Sequence, residues 1–370
     1  MQPVFFVLVL LFISVLSHSN SQAKVGLYQG EMSDSDTPVK RVLVIGAAGA
    51  IGKCLVEKML SEGLEVVAGL RKTPLPEDLT SRTGLIQEFG VDCTDAASIR
   101  KCFENHSPID TVWNLAAPLS VETAGNPDHA FNVVVNGMDR LLQAMREFNV
   151  PRICFSDSIG SYGGSSPREL APASWLVANP EQDPGSDYGV QKRKCRELMR
   201  DFVAEQPETR SCRWAVIPGV LHSDPSWGAG TTEYALDALK CSAEGTVFKC
   251  PVGENEYLPM IWRDDLIKGL YDLMIADKGS LKEPDGGYAL AGLSFTPMQL
   301  FAEIEKRDPT FKYIVEKDEE KLFKESPAAL FARLWVDSLS SEEANRDLGF
   351  KATVTSLGDI VDMIMSATKK

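Results

Sequence analysis

Val42-Leu43-Val44-Ile45-Gly46-Ala47-Ala48-Gly49-Ala50-Ile51-Gly52 is a short apolar run broken by glycines, and an amphipathic stretch with Ile51, Leu55, Val56 and Leu60 at helical spacing follows it. That is the pattern of a strand, a tight turn and a helix. Glycine lets such a turn close and lets a pyrophosphate approach the backbone, where amide N–H groups and the positive helix end meet its charge. Gly46, Gly49, Ala50, Ile51 and Gly52 therefore read as a dinucleotide-binding turn, whereas glycines outside a βαβ setting would mark only a bend. Working outward, Leu64–Ala68, Leu85–Val91 and Thr111–Leu115 supply further strands with helix-length segments between them. A helical pattern after Pro127 runs through Leu141, Leu142 and Met145, and Arg152–Ser156 is another strand. This alternation predicts an α/β fold, a doubly wound parallel sheet covered on both faces. Gly163–Asp187, rich in Pro, Ser and Gly, reads as a loop, and Asp285-Gly286-Gly287 as a later turn.

The 370-residue chain is 44% apolar and 24% charged, the balance of a globular protein with a sizeable core. Its net charge of −14 and lack of any Lys/Arg-rich block argue against nucleic acid as a partner. The eight cysteines form no CxxC pair and no cluster with histidine, so they read as small core residues and no metal is expected. Val4–Leu16 is apolar apart from Ser14 and leads to a polar stretch ending Ser21-Gln22-Ala23, the shape of a signal peptide. It is too short for a stable membrane span. Residues 1–23 are thus expected to be a targeting segment and 24–37 a linker. Routing into the secretory pathway is favoured over a mitochondrial or plastid presequence, because Lys24–Thr37 is acidic and lacks Arg. Asn105-His106-Ser107 would be a glycosylation sequon in that compartment.

Tyr188-Gly189-Val190-Gln191-Lys192 puts a phenol and an ammonium one helical turn apart on the same face. A free tyrosine, with a pKa of about 10, is a poor base at neutral pH. Lys192 and an oxidised nicotinamide, both cationic, would favour the phenolate. In isolation the pair is no more than an exposed i, i+4 contact. Ser156-Asp157-Ser158-Ile159-Gly160-Ser161-Tyr162-Gly163, directly after a strand, changes that reading, because the Ser158 hydroxyl can donate to a substrate oxygen.

Together these elements make the sequence, from Lys40 onward, resemble the extended short-chain dehydrogenase/reductase family, which joins a GxxGxxG turn, a strand-end Ser or Thr, and YxxxK. Within it the chain is similar to the L-threonine 3-dehydrogenases. The similar stretches are Leu115-Ala116-Ala117-Pro118-Leu119-Ser120, Gly228-Ala229-Gly230-Thr231-Thr232-Glu233-Tyr234-Ala235 and Leu258-Pro259-Met260 with Asp264-Asp265. Ala291-Gly292-Leu293-Ser294-Phe295-Thr296-Pro297, Trp335-Val336-Asp337-Ser338 and Ala344-Asn345-Arg346-Asp347-Leu348-Gly349-Phe350 continue the likeness to the C-terminus.

The resemblance implies a Rossmann core over residues 38–217, a smaller C-terminal substrate-binding lobe made mainly from residues 218–370 and integrated with the core, and a homodimer. It also implies oxidation of the L-threonine hydroxyl, giving 2-amino-3-oxobutanoate with hydride passed to the nicotinamide. Tyr188 would take the hydroxyl proton, Lys192 would hold the cofactor ribose, and Ser158 would bond the reacting oxygen. Ser120, Thr231 and Thr232 are candidates for gripping the amino acid, with local caps and turns as their plainer role. Val220 would lie against the nicotinamide. Leu70, Arg71, Lys72, Asp92, Cys93 and Leu115 would surround the rest of the cofactor; Asp92 would either touch the adenine edge or serve only as a turn acid. Two departures stand out. The acid expected about twenty residues beyond the glycines is replaced by Gly69-Leu70-Arg71-Lys72, so NAD follows from the resemblance while the two cations suit NADP. Asp157 occupies a slot that more often carries Ser. The rival readings are a nucleotide-sugar epimerase or dehydratase, and a non-catalytic NAD(P)-binding sensor or scaffold.

Overall fold

The computed structural model describes residues 38–368 apart from Ser226, Ala229, Pro284 and Asp285. The expected targeting segment, the linker 24–37 and Asp285 of the expected turn lie outside the described residues. In chain order the strands are β1 (Arg41–Ile45), β2 (Glu65–Leu70), β3 (Leu85–Phe89), β4 (Thr111–Asn114), β5 (Arg152–Ser158), β6 (Ser211–Ile217), β7 (Gly219–Leu221), β8 (Val247–Lys249), β9 (Leu258–Trp262), β10 (Gly287–Ala289), β11 (Leu293–Phe295) and β12 (Lys312–Ile314). Seven of these form one sheet in the order β10-β6-β5-β4-β1-β2-β3, with every pairing parallel. The chain winds outward from β1 in one direction through β2 and β3, then returns and winds the other way from β4. The reversal opens a crevice at the C-terminal ends of β1 and β4.

Side-chain alternation explains why both faces are covered. Val42 and Val44 pack with Leu55, Val56 and Met59 of the helix Ala50–Ser61 and with Leu266 and Leu270 of the helix Arg263–Ile275. Leu43 and Ile45 point the other way, into a cluster with Ile99, Met138, Leu141 and Met199 from the helices Ala96–His106, Pro127–Glu147 and Asp187–Ala204. Each such buried side chain contributes about 1.5–3 kcal/mol.

Two features differ from the sequence expectation. The segment 163–187 carries a helix, Ala173–Ala178, which buries Leu176 in the core; Pro and Gly on both sides hid so short an element. The sheet is also not finished at Ile217. Its seventh strand, β10, comes from the segment assigned mainly to the substrate lobe, and the helix Arg263–Ile275 from the same segment covers one face. Three residues are too few to show a strand period. Gly287 admits the close pairing, since a Cβ there would fall 2.1 Å from the Trp214 ring. Beyond β6, Pro218 breaks the ladder and β7 enters a second sheet of order β11-β9-β7, while β8 and β12 pair in parallel. Among the described residues no helix is long and apolar enough to cross a membrane.

Candidate active site

Gly46 sits at φ 82°, in the left-handed region, and a Cβ there would lie 2.9 Å from the Ala116 nitrogen. At Gly52 a Cβ would fall 2.3 Å from the Gly46 carbonyl oxygen. These close approaches seat the helix Ala50–Ser61 directly on the turn. Gly49 is its N-cap, no side chain caps it, and its first turn holds no acid. Lys53 N–H makes the first intrahelical bond, to Gly49 O at 3.0 Å, so the N–H groups of Ala50, Ile51 and Gly52 are left for an outside acceptor. The turn fits a dinucleotide pyrophosphate. Leu115 N–H donates to Ile45 O at 3.0 Å, which holds the exit of β4 beside the turn. In the β1–β2 register Ile45 faces Gly69, so the buried Leu70 and the exposed Arg71 and Lys72 follow along the same rim. Asp92 Oδ1 accepts from Thr94 N–H at 2.8 Å and Thr94 Oγ1 at 2.7 Å, and these bonds hold its carboxyl below the usual range. One oxygen of that acid is thus committed to its own turn. Cys93 packs against Gly137, and burial pushes its thiol up to about 11.

The strand β5 carries Ser158 to its end, where the Ser158 hydroxyl accepts from Gly160 N–H at 3.1 Å. Ser186 caps the helix Asp187–Ala204 by accepting from Gly189 N–H at 3.2 Å. Two glycines make the helix and the strand end meet: a Cβ at Gly189 would lie 2.0 Å from Gly160 O, and one at Gly160 would lie 2.7 Å from the Tyr188 ring. Lys192, only 2% exposed, donates to Ser156 O at 2.7 Å and lies 5.4 Å from the Tyr188 ring centre. The structure therefore gathers Ser158, Tyr188 and Lys192 at one point. One turn further along, Arg196 pairs with the buried Asp157, whose Oδ1 accepts from Ser158 N–H at 2.8 Å and from the Ser161 hydroxyl. Arg196 is absent from the sequence-derived site, although it continues the four-residue spacing of Tyr188 and Lys192, and a buried Asp157 demands a cation.

On the substrate side, Ser120 and Thr231 are both buried, and their hydroxyl oxygens lie 3.1 Å apart across 111 residues. Thr232 packs on Gly219 at the start of β7, next to the partly buried Val220, and its hydroxyl donates to Glu233 at 3.4 Å. Glu233 is a further residue that motif reasoning passed over. Its carboxylate lies over Gly230, and burial raises it to about 7. It lines a cavity of about 530 Å³ with Val121, Trp227, Asp237, Lys240 and Glu325 among its walls. Ser158, Tyr188 and Lys192 do not line this cavity, which begins one residue away from Ser120 and Thr231. Asp224, beyond β7, bonds Lys53 at 2.7 Å and Arg263 at 2.5 Å, tying that loop to the glycine-turn helix. Burial pushes the Asp224 carboxyl up, but the bonds from Arg263 and Lys53 outweigh it and hold the group at about 2.

Residues 42–216 match the sequence model of the NAD dependent epimerase/dehydratase family. That segment is similar to the family's NAD-binding domain. The chain is 26% identical over 334 residues to the mitochondrial L-threonine 3-dehydrogenase of Sus scrofa, covering 89% of this chain and 82% of that one. It matches the solved structure of a partial consensus L-threonine 3-dehydrogenase with a TM-score of 0.76 at 28% identity, covering 90% of this chain and 100% of the other. The holo form of an L-threonine dehydrogenase from Cupriavidus necator matches with a TM-score of 0.75 at 27% identity, covering 88% and 99% respectively. The chain is an NAD(P)-binding oxidoreductase of Rossmann type. Gly46, Gly49, Ala50, Ile51 and Gly52 would hold the pyrophosphate, with Leu115 beside it and Lys192 at the nicotinamide end. When bound, the nicotinamide supplies the hydride acceptor.

Proposed function

We propose that this chain oxidises the hydroxyl of L-threonine to the ketone of 2-amino-3-oxobutanoate. The observation that carries the reading is the acidic cavity beside the Ser120–Thr231 hydroxyl pair, where Glu233, Asp237 and Glu325 outnumber Lys240. Carboxylates suit a substrate ammonium and repel the diphosphate of a nucleotide sugar. In this reading the buried hydroxyls and Thr232 hold the amino-acid end, with Glu233 taking the ammonium. Tyr188 accepts the hydroxyl proton, and the adjacent Lys192 ammonium stabilises the phenolate that does so. Ser158 donates to the reacting oxygen, which becomes the carbonyl oxygen as the C–H hydrogen departs with its electron pair.

The test is the initial rate of nicotinamide reduction with L-threonine, run beside dinucleotide binding. Tyr188→Phe is expected to lower turnover by about 10²–10⁴-fold while binding persists; unchanged turnover would remove Tyr188 as the base. Dinucleotide-binding protein that does not turn over L-threonine would redirect the substrate search to nucleotide sugars.

A further inference from the structure

We infer that this chain selects NADP over NAD, with Arg71 and Lys72 receiving the ribose 2′-phosphate. The inference rests on the glycine turn holding a dinucleotide. In the parallel β1–β2 pair Ile45 lies opposite Gly69, so Gly46-Ala47-Ala48 and Leu70-Arg71-Lys72 leave the sheet side by side. A dinucleotide whose pyrophosphate sits on the helix N-terminus places its adenosine ribose over the end of this neighbouring strand. A site that reads the free 2′-hydroxyl puts a carboxylate there to accept from it. Here the strand ends in Leu70, an apolar side chain 1% exposed, and no acid occurs from Val66 to Pro76. Glu65 is at the opposite end of the strand and is paired with Arg41.

The two cations are the second part of the argument. Among the described residues Arg41, Arg82, Arg100, Arg146, Arg307 and Arg346 each sit against a carboxylate. Arg71 and Lys72 are exposed, adjacent and without such a partner. Asp92 feels the charge of Arg71, but one of its oxygens is taken by Thr94. In a chain with a net charge of −14, a pair of cations beside the cofactor turn with no acid against it is a specific arrangement. A guanidinium and an ammonium together match a phosphate dianion through charge-assisted hydrogen bonds, and neither offers an acceptor to a ribose hydroxyl.

The test is equilibrium binding of NADP, NAD, 2′,5′-ADP and 5′-ADP to the whole protein, followed by tryptophan fluorescence or calorimetry, so that it does not depend on turnover. NADP is expected to bind about tenfold or more tightly than NAD, and 2′,5′-ADP to outbind 5′-ADP in the same way. The double substitution Arg71→Ala/Lys72→Ala, at two exposed positions, is expected to weaken NADP far more than NAD and so to erase the preference; added salt should narrow it. NAD binding as tightly as NADP, or a preference that survives the double substitution, would overturn the inference and leave the dinucleotide site intact. Binding of neither dinucleotide would overturn the inference together with the reading of the glycine turn.

Discussion

Glu233 is held by burial at about 7, above its ordinary 4.5. The folded chain therefore keeps a proton there that the unfolded chain has already released. Stability from this group is highest below about 4.5 and declines as pH rises through about 7. The negative charge needed to hold an ammonium appears over the upper part of the same window. If Glu233 takes the substrate ammonium, KM for L-threonine should fall as pH rises through neutrality. Glu233→Gln should raise KM and flatten that profile, while thermal stability at alkaline pH stays the same or improves. Melting curves and initial rates across pH separate the two effects; a profile that Glu233→Gln leaves unchanged would remove Glu233 from the substrate site. The sequence shows Gly46, Gly49, Gly52, Tyr188 and Lys192 readily, because near neighbours in the chain define their roles. Glu233 is different. Its meaning lies in burial against Gly230 and Thr232, and the Ser120–Thr231 meeting joins residues 111 positions apart.

At the level of elements, successive turns of the helix Asp187–Ala204 grip successive residues of the end of β5. Lys192 holds Ser156 O, and Arg196 holds the Asp157 carboxylate, which in turn receives Ser158 N–H. Strand and helix are thereby locked where the Tyr188 ring meets Gly160, whose N–H donates to the Ser158 hydroxyl. Arg196→Met would strand a buried carboxylate and should cost about 3–5 kcal/mol in urea unfolding. Combining it with Asp157→Ser, which removes both charges, should recover much of that loss. Turnover in the single variant should fall through kcat more than through KM, because the donor moves while the cavity beyond Ser120 does not. A double-variant loss equal to the sum of the Arg196→Met and Asp157→Ser losses would show that the two charges act independently. This pairing explains Asp157 where a Ser is more usual, and only the fold reveals it. The helix Ala173–Ala178 and β10 were hidden from sequence for another reason: each is too short to display a period.

Across the whole molecule, the sheet and the later segments complete one another. Without residues beyond Ile217, β6 would present a bare edge beside Trp214, and the helix Ala50–Ser61 would lose the cover given by Arg263–Ile275. Residues 38–217 alone are therefore expected to form an aggregating, dye-binding species, not a cooperatively folded domain. Circular dichroism and dye binding on that fragment check this, and a sharp thermal transition would show that the core stands by itself.

The position of β10 also bears on how the protein is made. A nascent chain can assemble the first six strands as they leave the ribosome, yet the strand that shields β6 is translated some seventy residues later. At about 5–20 residues per second that interval lasts several seconds or more, and throughout it β6 is an unpaired edge of the kind that invites aggregation. Slower synthesis across the segment between β6 and β10 is expected to lengthen that exposure and lower the yield of native protein, whatever the final free energy.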